Sequence, residues 1–204
     1  MGLFNSFYAP LALAIGYLLG SIPFGLLLTR AAGHGDVRAI GSGNIGATNV
    51  LRAAGKGLAA ATLLLDLLKG TAAVLIAREG AKGGMALEAY QFGYVAGLGA
   101  LLGHMFPAWL SFEGGKGVAT FIGVLLALHW PAALLFGLVW AGVALIKRYS
   151  SLAALAATLA IPVYYLLIGQ AGLVFILIMA ILIFGKHHAN IRRLRAGVEP
   201  KIGA

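Results

Sequence analysis

Cysteine is absent from the 204 residues of this chain, and only 6 residues are acidic. The absence of cysteine excludes disulfides, cysteine metal ligands and a covalent thioester intermediate. The few carboxylates are spread widely along the chain, so we expect no metal site built from several carboxylates. The chemistry of this protein must therefore come from other groups.

Charge of either sign is also scarce, at 10% of residues, whereas a soluble domain carries about 25%. Hydrophobic residues make up 61% of the chain, and the mean hydropathy is +0.95. These values predict an all-α integral membrane protein. The net charge of +9 then indicates cytoplasmic loops facing anionic lipid rather than a nucleic-acid partner.

Long apolar runs predict seven transmembrane helices, since a span needs about 20 mostly apolar residues and fewer where the bilayer thins. Their expected bounds are 7–30, 58–78, 88–106, 117–129, 131–147, 151–169 and 171–186. Only Trp130-Pro131 separates the fourth from the fifth, and Pro131 can begin a helix after a tight turn. The alternative merges these two into one long or re-entrant segment.

Basic residues divide unevenly between the two predicted sides of the membrane. With the N-terminus outside, the inner segments and span ends hold 12 of the 15 Lys and Arg residues, whereas the outer segments hold Arg78 and Lys82. The positive-inside rule therefore predicts a cytoplasmic C-terminus. It also places three polar segments, about 31–57, 107–117 and 186–204, on the cytoplasmic side of one domain that spans residues 1–204.

The first polar segment contains GSGNIGATNVLR (41–52). Glycine lets backbone N–H groups turn toward a ligand, and successive N–H groups bind anions. Arg52 adds a bidentate charge for a phosphate. We therefore predict an oxyanion-binding loop whose other contributors are Ser42, Gly43, Asn44, Gly46, Thr48 and Asn49.

The second and third segments repeat this chemistry. Lys116 lies among Gly114, Gly115 and Gly117 just before a predicted helix, and GKHHANIRRLRAGVE (185–199) supplies His187, Asn190 and arginines. The three segments together predict one cytoplasmic site for phosphoryl groups. A single loop of this kind is commonly only a surface turn, and Arg192, Arg193 and Arg195 suit anionic lipid head groups. His104 is open to either a packing or a functional role.

Well-known phosphate and acyl-transfer motifs are missing. GGKG lacks the Ser or Thr and the earlier glycine of a nucleoside-triphosphate loop. No Gly-Xaa-Ser-Xaa-Gly elbow occurs, and no histidine has an aspartate five positions later, as the common membrane acyltransferases do. Nothing in the sequence therefore predicts an activated protein nucleophile.

Polar residues and glycines inside the predicted spans have structural explanations. Asp66 and Lys69 lie three apart on one helical face, where we expect them to neutralise each other. GSIPFG (20–25) predicts a break in the first span, because Pro23 cannot continue a helix comfortably. Glycine pairs such as Gly16/Gly20 and Gly99/Gly103 predict close helix packing.

The whole pattern resembles the bacterial acyl-phosphate:glycerol-3-phosphate acyltransferases, the family named PlsY. The resemblance covers nearly the entire chain, through the ordered pieces GSIPFG, GSGNIGATNVLR, LLDLLKG, GHMFP, FEGGKGVAT and HHANIRRL. That family has seven helices in the bacterial inner membrane, with its three motifs facing the cytoplasm. One position departs from its pattern, because Glu113 stands where relatives commonly carry a basic residue, which weakens the local positive field.

The resemblance implies transfer of a fatty acyl group from acyl phosphate to the 1-hydroxyl of glycerol 3-phosphate, giving lysophosphatidic acid and phosphate. It implies no cofactor, membrane lipid as the surroundings, and function as a monomer. The family's phosphate-binding residues match Ser42, Arg52, Lys116 and Asn190, and its motif histidine and glutamate match His187 and Glu199. The proton acceptor stays open between His187 and a substrate phosphate oxygen.

A transporter of a phosphorylated metabolite is the alternative function from a different class. Phosphate-binding loops suit a transporter, but the polar residues gather on one side and the outer loops are short. A lipid-binding scaffold without catalysis is a third reading. Turnover by the purified protein separates the enzyme from both.

Overall fold

The structure is a computed structural model that describes residues 2–81 and 86–203, with side chains described for 7–81 and 89–203. Within these ranges the chain is helical and contains no strand. The helices are α1 (Gly2–Gly20), α2 (Phe24–Ala31), α3 (Ala47–Gly80), α4 (Ala86–Met105), α5 (Val118–Leu128), α6 (Trp130–Lys147), α7 (Ser150–Leu167), α8 (Leu173–Lys186) and α9 (His188–Arg195). Short 3-10 turns lie at Val37–Ala39 and Ala108–Leu110.

The apolar runs predicted as spans coincide with helices, and most bounds differ by only a few residues. By length and composition, four described stretches are long enough to cross a membrane: Phe7–Ala31, Ala47–Gly80, Trp130–Lys147 and Ser150–Leu167. A fifth results if α8 and α9, which are bent by 59°, form one span. The all-helical architecture is confirmed, whereas seven spans and the orientation of the termini stay predictions; Lys82 lies outside the described residues.

The predicted break in the first span is confirmed. Helix α1 ends at Gly20 and α2 begins at Phe24, with Pro23 between them. The peptide carbonyls of Ser21 and Ile22 accept bonds from side chains of other elements, Trp109 Nε1 at 2.8 Å and Lys69 Nζ at 2.8 Å. Proline has no N–H to continue the helix, and these side chains satisfy carbonyls at the break.

The predicted glycine packing is also confirmed between α1 and α4. A β-carbon added at Gly16 or Gly20 would collide with the backbone of α4, and one added at Gly99 or Gly103 would collide with the backbone of α1. Small residues on both helices therefore allow direct backbone contact, which is a common basis of helix association in membranes.

Helix α3 begins earlier than the sequence indicated. Residues 47–54 were expected in the loop 31–57, but they are helical, and Gly46 occupies the N-cap position. The helix is interrupted at Gly55, whose φ of 85° and ψ of −178° suit only glycine. The backbone N–H groups of Asn49 and Val50 donate to Gly46 O and close the first turn of the helix. The small polar residues of the motif are typical of a loop, so the sequence pattern did not indicate this helix start.

The chain divides into two compact units, one up to Leu128 and the other from His129. The first contains α1 to α5, with α3 packed against α1, α4 and α5. The second contains α6 to α9, in which α7 packs against α6 and α8. In the second unit the C-terminal segment returns to the end of α6, where Ile202 N donates to Arg148 O at 2.6 Å.

Candidate active site

Asn49 holds the first polar loop in shape. Its Oδ1 accepts from Ser42 N at 2.9 Å, and its Nδ2 donates to Val37 O and Ile40 O, both at 2.9 Å. The side chain is buried in the turn that it stabilises. Because its donor and acceptor atoms are engaged within the loop, Asn49 shapes the site rather than reaching out to a substrate.

The loop's remaining polar side chains divide into two kinds. Asn44 Oδ1 accepts from Gly46 N at 3.0 Å, which fixes the turn that leads into α3. Ser42, Thr48 and Arg52 are exposed, and Thr48 and Arg52 are four apart on the first turns of α3. The stem of Arg52 lies beside Gly41, the chain neighbour of Ser42. Ser42, Thr48 and Arg52 therefore lie at the surface of this segment.

Two further arginines of this loop are paired within it. Asp36 Oδ2 lies 2.9 Å from Arg30 Nη2 and 2.7 Å from Arg38 Nη2. The hydrogen bond from Arg38, with help from Arg30, holds the pKa of Asp36 far below its ordinary value. Asp36 therefore offsets one of the two positive charges that Arg30 and Arg38 bring to this segment.

The glycine-rich second loop uses its amides differently from the prediction. Gly114 N donates to Met105 O at 3.2 Å, and Gly115 N donates to His104 O at 2.9 Å. These amides thus cap the C-terminus of α4, where helix carbonyls have no partner of their own. Lys116, the cation of this loop, is half-buried and comes just before the N-terminal turn of α5, which follows Gly117.

The predicted pair of Asp66 and Lys69 is present in α3, and His104 lies beside it. Lys69 Nζ lies 2.7 Å from Asp66 Oδ1, and His104 Nδ1 lies 3.6 Å from the same oxygen. All three side chains are buried, with exposures of 2% to 4%. His104, for which a packing role and a role in substrate binding were both open, lies inside the helix bundle, where it contacts Asp66 on one side and the second loop on the other.

The first two loops lie side by side. Leu110 of the second loop packs against the small apolar core beneath the first loop, which contains Val37, Ile45 and Val50. Ser42, Arg52 and Lys116 therefore belong to neighbouring segments of one compact unit. Their convergence with His187 and Asn190, which belong to the second unit, stays a prediction.

In the second unit, a buried carboxylate organises the third motif. Glu199 Oε1 accepts from Ser151 Oγ and from Asn190 Nδ2, both at 2.6 Å, and Oε2 accepts from Arg193 Nε at 2.7 Å. Burial acts to raise the pKa of Glu199, but these hydrogen bonds outweigh it, so the pKa lies below its ordinary value. The ionised carboxylate holds Asn190 in place, and its charge disfavours direct contact with a phosphate.

This arrangement adds Ser151 and changes the part of Arg193. Ser151 was not predicted from the sequence, although a serine pair at the start of an apolar span, just after Lys147 and Arg148, was a usable signal. Arg193 was grouped with the lipid-facing arginines, but it makes an ion pair with Glu199. Arg192 and Arg195 show no such pairing among the residues described.

His187 is oriented by a helix carbonyl, whereas Asn190 is oriented by Glu199. His187 Nδ1 lies 2.8 Å from Ile183 O, and a carbonyl only accepts, so Nδ1 carries the proton and the neutral ring has its lone pair on Nε2. Asn190 Oδ1 is buried and has no hydrogen-bond partner within the described chain. Asn190 Oδ1 is therefore an acceptor of the third motif that no described donor satisfies.

Comparison with known proteins gives consistent results over the whole chain. Residues 10–197 match the family model described as "Glycerol-3-phosphate acyltransferase". The chain is 63% identical over 196 residues to a glycerol-3-phosphate acyltransferase of Mesorhizobium japonicum, covering 95% of this chain and 96% of the relative. It is 57% identical over 205 residues to one of Brucella canis, covering 100% of this chain and 97% of that protein.

Solved structures agree. The fold superposes with a TM-score of 0.87, at 40% identity and 96% coverage of both chains, on the crystal structure of PlsY, an integral membrane glycerol 3-phosphate acyltransferase, in its glycerol 3-phosphate form. The lysophosphatidic acid form of PlsY gives a TM-score of 0.85 at 39% identity, covering 96% of this chain and 95% of the other.

Proposed function

We propose, since the chain belongs to the glycerol-3-phosphate acyltransferase family, that it acylates glycerol 3-phosphate at the 1-hydroxyl with acyl phosphate as donor. The hydroxyl oxygen forms a bond to the acyl carbonyl carbon, the carbon–oxygen bond to phosphate breaks, and the hydroxyl proton passes to a base. The products are lysophosphatidic acid and inorganic phosphate. The observation that carries this proposal is similarity over nearly the full length to acyltransferases, one of which, PlsY, is solved in a glycerol 3-phosphate form and in a lysophosphatidic acid form.

The protein is an integral membrane protein of a bacterial family. We place it in the inner membrane as a monomer with seven spans, an outer N-terminus and a cytoplasmic C-terminus. The charge asymmetry of the sequence supports this orientation. The acyl chain then lies between helices at bilayer depth, while glycerol 3-phosphate enters from the cytoplasm toward the polar segments.

We assign the residue roles from the chemistry of each side chain and, where a hydrogen bond is described, from its partner. Arg52 and Lys116 bind phosphoryl groups, because a guanidinium and an ammonium are suited to phosphate oxygens. Ser42 and Asn190 orient the substrates. The residues that build the loops around them are Gly43, Asn44, Gly46, Asn49, Gly114, Gly115, Gly117 and Glu199, while Thr48 stands beside Arg52 on the substrate side.

No covalent enzyme intermediate is needed in this reaction. Acyl phosphate is activated and phosphate is a good leaving group, so the protein has to orient the alcohol and stabilise the growing negative charge. Orientation supplies about 7–11 kcal/mol in favourable cases, and fixed hydrogen-bond donors add several more. We therefore assign direct attack in one step.

Two proton acceptors are compatible with the site. The tautomer of His187 places its lone pair on Nε2, which suits a general base. A phosphate oxygen of a substrate is the other acceptor, and it is delivered with the reaction itself. The effect of removing His187 on the pH–rate profile separates them, as described below.

Turnover by the purified full-length protein tests the function. In detergent, phosphate release from palmitoyl phosphate should require glycerol 3-phosphate and should produce lysophosphatidic acid in equal amount. Lys116→Ala should lower the rate at least about a hundredfold, which corresponds to one donor to the transition state. Lys147→Ala, which removes an exposed lysine at the end of α6, is the matched control.

The transporter alternative predicts the opposite pattern. A transporter would show flux of a phosphorylated metabolite into liposomes and no chemical turnover. A lipid-binding scaffold would show neither flux nor turnover. Phosphate release that is independent of glycerol 3-phosphate, or a Lys116→Ala variant as active as Lys147→Ala, would contradict the proposal.

A further inference from the structure

A buried charged cluster in the first unit has no part in the chemistry described so far. Asp66 and Lys69 form an ion pair whose side chains are 3% and 2% exposed, and His104 lies beside the same carboxylate oxygen. Ionised groups inside a membrane segment are costly and occur where they have a specific task. Mutual neutralisation accounts for the pair, but not for its contact with a histidine from another helix.

Lys69 connects this cluster to the break in the first span. Its Nζ donates to Ile22 O at 2.8 Å and lies 5.7 Å from the centre of the Phe24 ring. Ile22 lies between α1 and α2, where a backbone carbonyl has lost its helical partner. The lysine therefore fixes the long helix α3 against a defined point of the first span.

His104 connects the cluster to the second polar loop. A β-carbon added at Gly115 would collide with His104 Nε2, so the ring lies directly on the glycine backbone. Gly115 N also donates to His104 O at 2.9 Å. Because Gly115 immediately precedes Lys116, the position of the His104 ring affects the position of the Lys116 backbone.

We infer that Asp66 and Lys69 are positioning residues for Lys116. The carboxylate of Asp66 holds the His104 ring against Gly115, and Lys69 anchors that carboxylate to the break in the first span. The loop that carries Lys116 is thereby fixed from beneath by charges that never meet the substrate. This inference rests on the proposed function, in which Lys116 binds a phosphoryl group.

An apolar pair of similar shape separates positioning from simple stabilisation. Breaking a buried ion pair by removing one partner leaves an uncompensated charge, whereas replacing both by apolar groups is often neutral for stability. Asp66→Leu/Lys69→Met should therefore keep a Tm within a few degrees of wild type. Its kcat/KM should fall at least tenfold for one of the two substrates, because the ring and loop are no longer held.

A second variant reaches the same contact without touching the charges. Gly115→Ala pushes the ring away while leaving Asp66 and Lys69 in place, and it should lower kcat/KM by a similar factor. Gly137→Ala in α6, where an added β-carbon meets nothing within 4 Å, is the matched control. Both perturbations displace the same His104 ring. The kcat/KM of the triple variant should therefore be no more than a few fold below that of the less active of the two parent variants.

The inference is overturned by full turnover in the apolar-pair variant, by Gly115→Ala as active as Gly137→Ala, or by losses that multiply in the triple variant. If the apolar-pair variant does not fold, the comparison of Gly115→Ala with Gly137→Ala decides alone.

Hydrogen exchange separates this inference from the proposed function. In the apolar-pair variant the amides of Gly114 and Gly115 should exchange at least tenfold faster than in wild type, and unchanged protection would refute the positioning role. Absence of turnover in the wild-type protein contradicts the proposed function, whereas the exchange measurement still tests the position of the loop.

Discussion

Replacing Glu199 by glutamine tests whether this carboxylate builds the third motif or binds substrate. In the structure both oxygens are occupied, Oε1 by Ser151 and Asn190 and Oε2 by Arg193. A glutamine that keeps its oxygen at the Oε1 position turns an NH₂ group toward Arg193 Nε, so two donors face each other. The variant therefore loses one charge-assisted hydrogen bond and its ion pair, while Asn190 keeps its partner.

The expected cost follows from that single loss. A hydrogen bond to a charged group contributes about 1.5–3 kcal/mol, and the side chain of Arg193 is 36% exposed, which favours the lower part of this range. We take about 2 kcal/mol. For a chain of this length, that corresponds to a decrease in Tm of about 4–8 °C.

Thermal unfolding of the purified protein in detergent, together with turnover, measures both consequences. Glu199→Gln should lower Tm as stated and reduce turnover by less than about tenfold, because Asn190 remains held. Lys147→Ala, which removes an exposed charged side chain at the end of α6, is the control and should change neither quantity. A hundredfold loss of turnover with an unchanged Tm would show that Glu199 contacts the substrate, and would refute the reasoning.

Three further predictions concern pH, backbone conformation and the base. The pKa of Glu199 lies below its ordinary value, so the ionised carboxylate stabilises the fold at pH values above that ordinary pKa, and this stability is lost as the pH falls through the folded-state pKa. The Tm difference between wild type and Glu199→Gln should therefore shrink on acidification. A constant difference down to the acid transition would contradict this. Gly55→Ala should lower the free energy of unfolding by about 1–3 kcal/mol, because the φ of 85° at this position strains any residue with a β-carbon. Gly57→Ala is the control and should be neutral or stabilising, because Gly57 is helical and an added β-carbon meets no atom within 4 Å. Equal effects of the two substitutions in thermal unfolding would exclude backbone strain at Gly55. If His187 is the base, His187→Ala should remove the acidic limb of the pH–rate profile; an unchanged profile assigns the proton to a substrate phosphate.

Local sequence patterns were sufficient for most of the apolar helices and for the break in the first span. Hydropathy located most helix bounds to within a few residues, and Pro23 marked that break, whereas the early start of α3 and its interruption at Gly55 were not predicted. The spacing of Asp66 and Lys69 was enough to predict their pairing, because residues three apart on a helix face each other. The glycine pairs likewise indicated the contact of α1 with α4.

The motif residues were chosen by type, and only the structure shows which groups several of them contact. Asn49 was expected in the oxyanion-binding loop and Glu199 matched a motif position of the family; in the structure each holds its own loop or helix through three hydrogen bonds. Glycine-rich segments indicate where a backbone can turn, but not whether its amides bind an anion or cap a helix. Gly114 and Gly115 cap α4, and only the path of the chain decided this.

The amino-acid sequence alone determined the membrane class, the helices, the polar motifs and the family resemblance, since each depends on neighbours along the chain or on the order of motifs. Tertiary structure alone decided that the His104 ring lies next to both Asp66 and Gly115. It also decided that Ser151 and Asn190 donate hydrogen bonds to the same oxygen of Glu199. Ser151 and Glu199 are 48 residues apart. No periodicity encodes such a pairing, because it arises only when separate helices pack and bury polar groups that must then find partners.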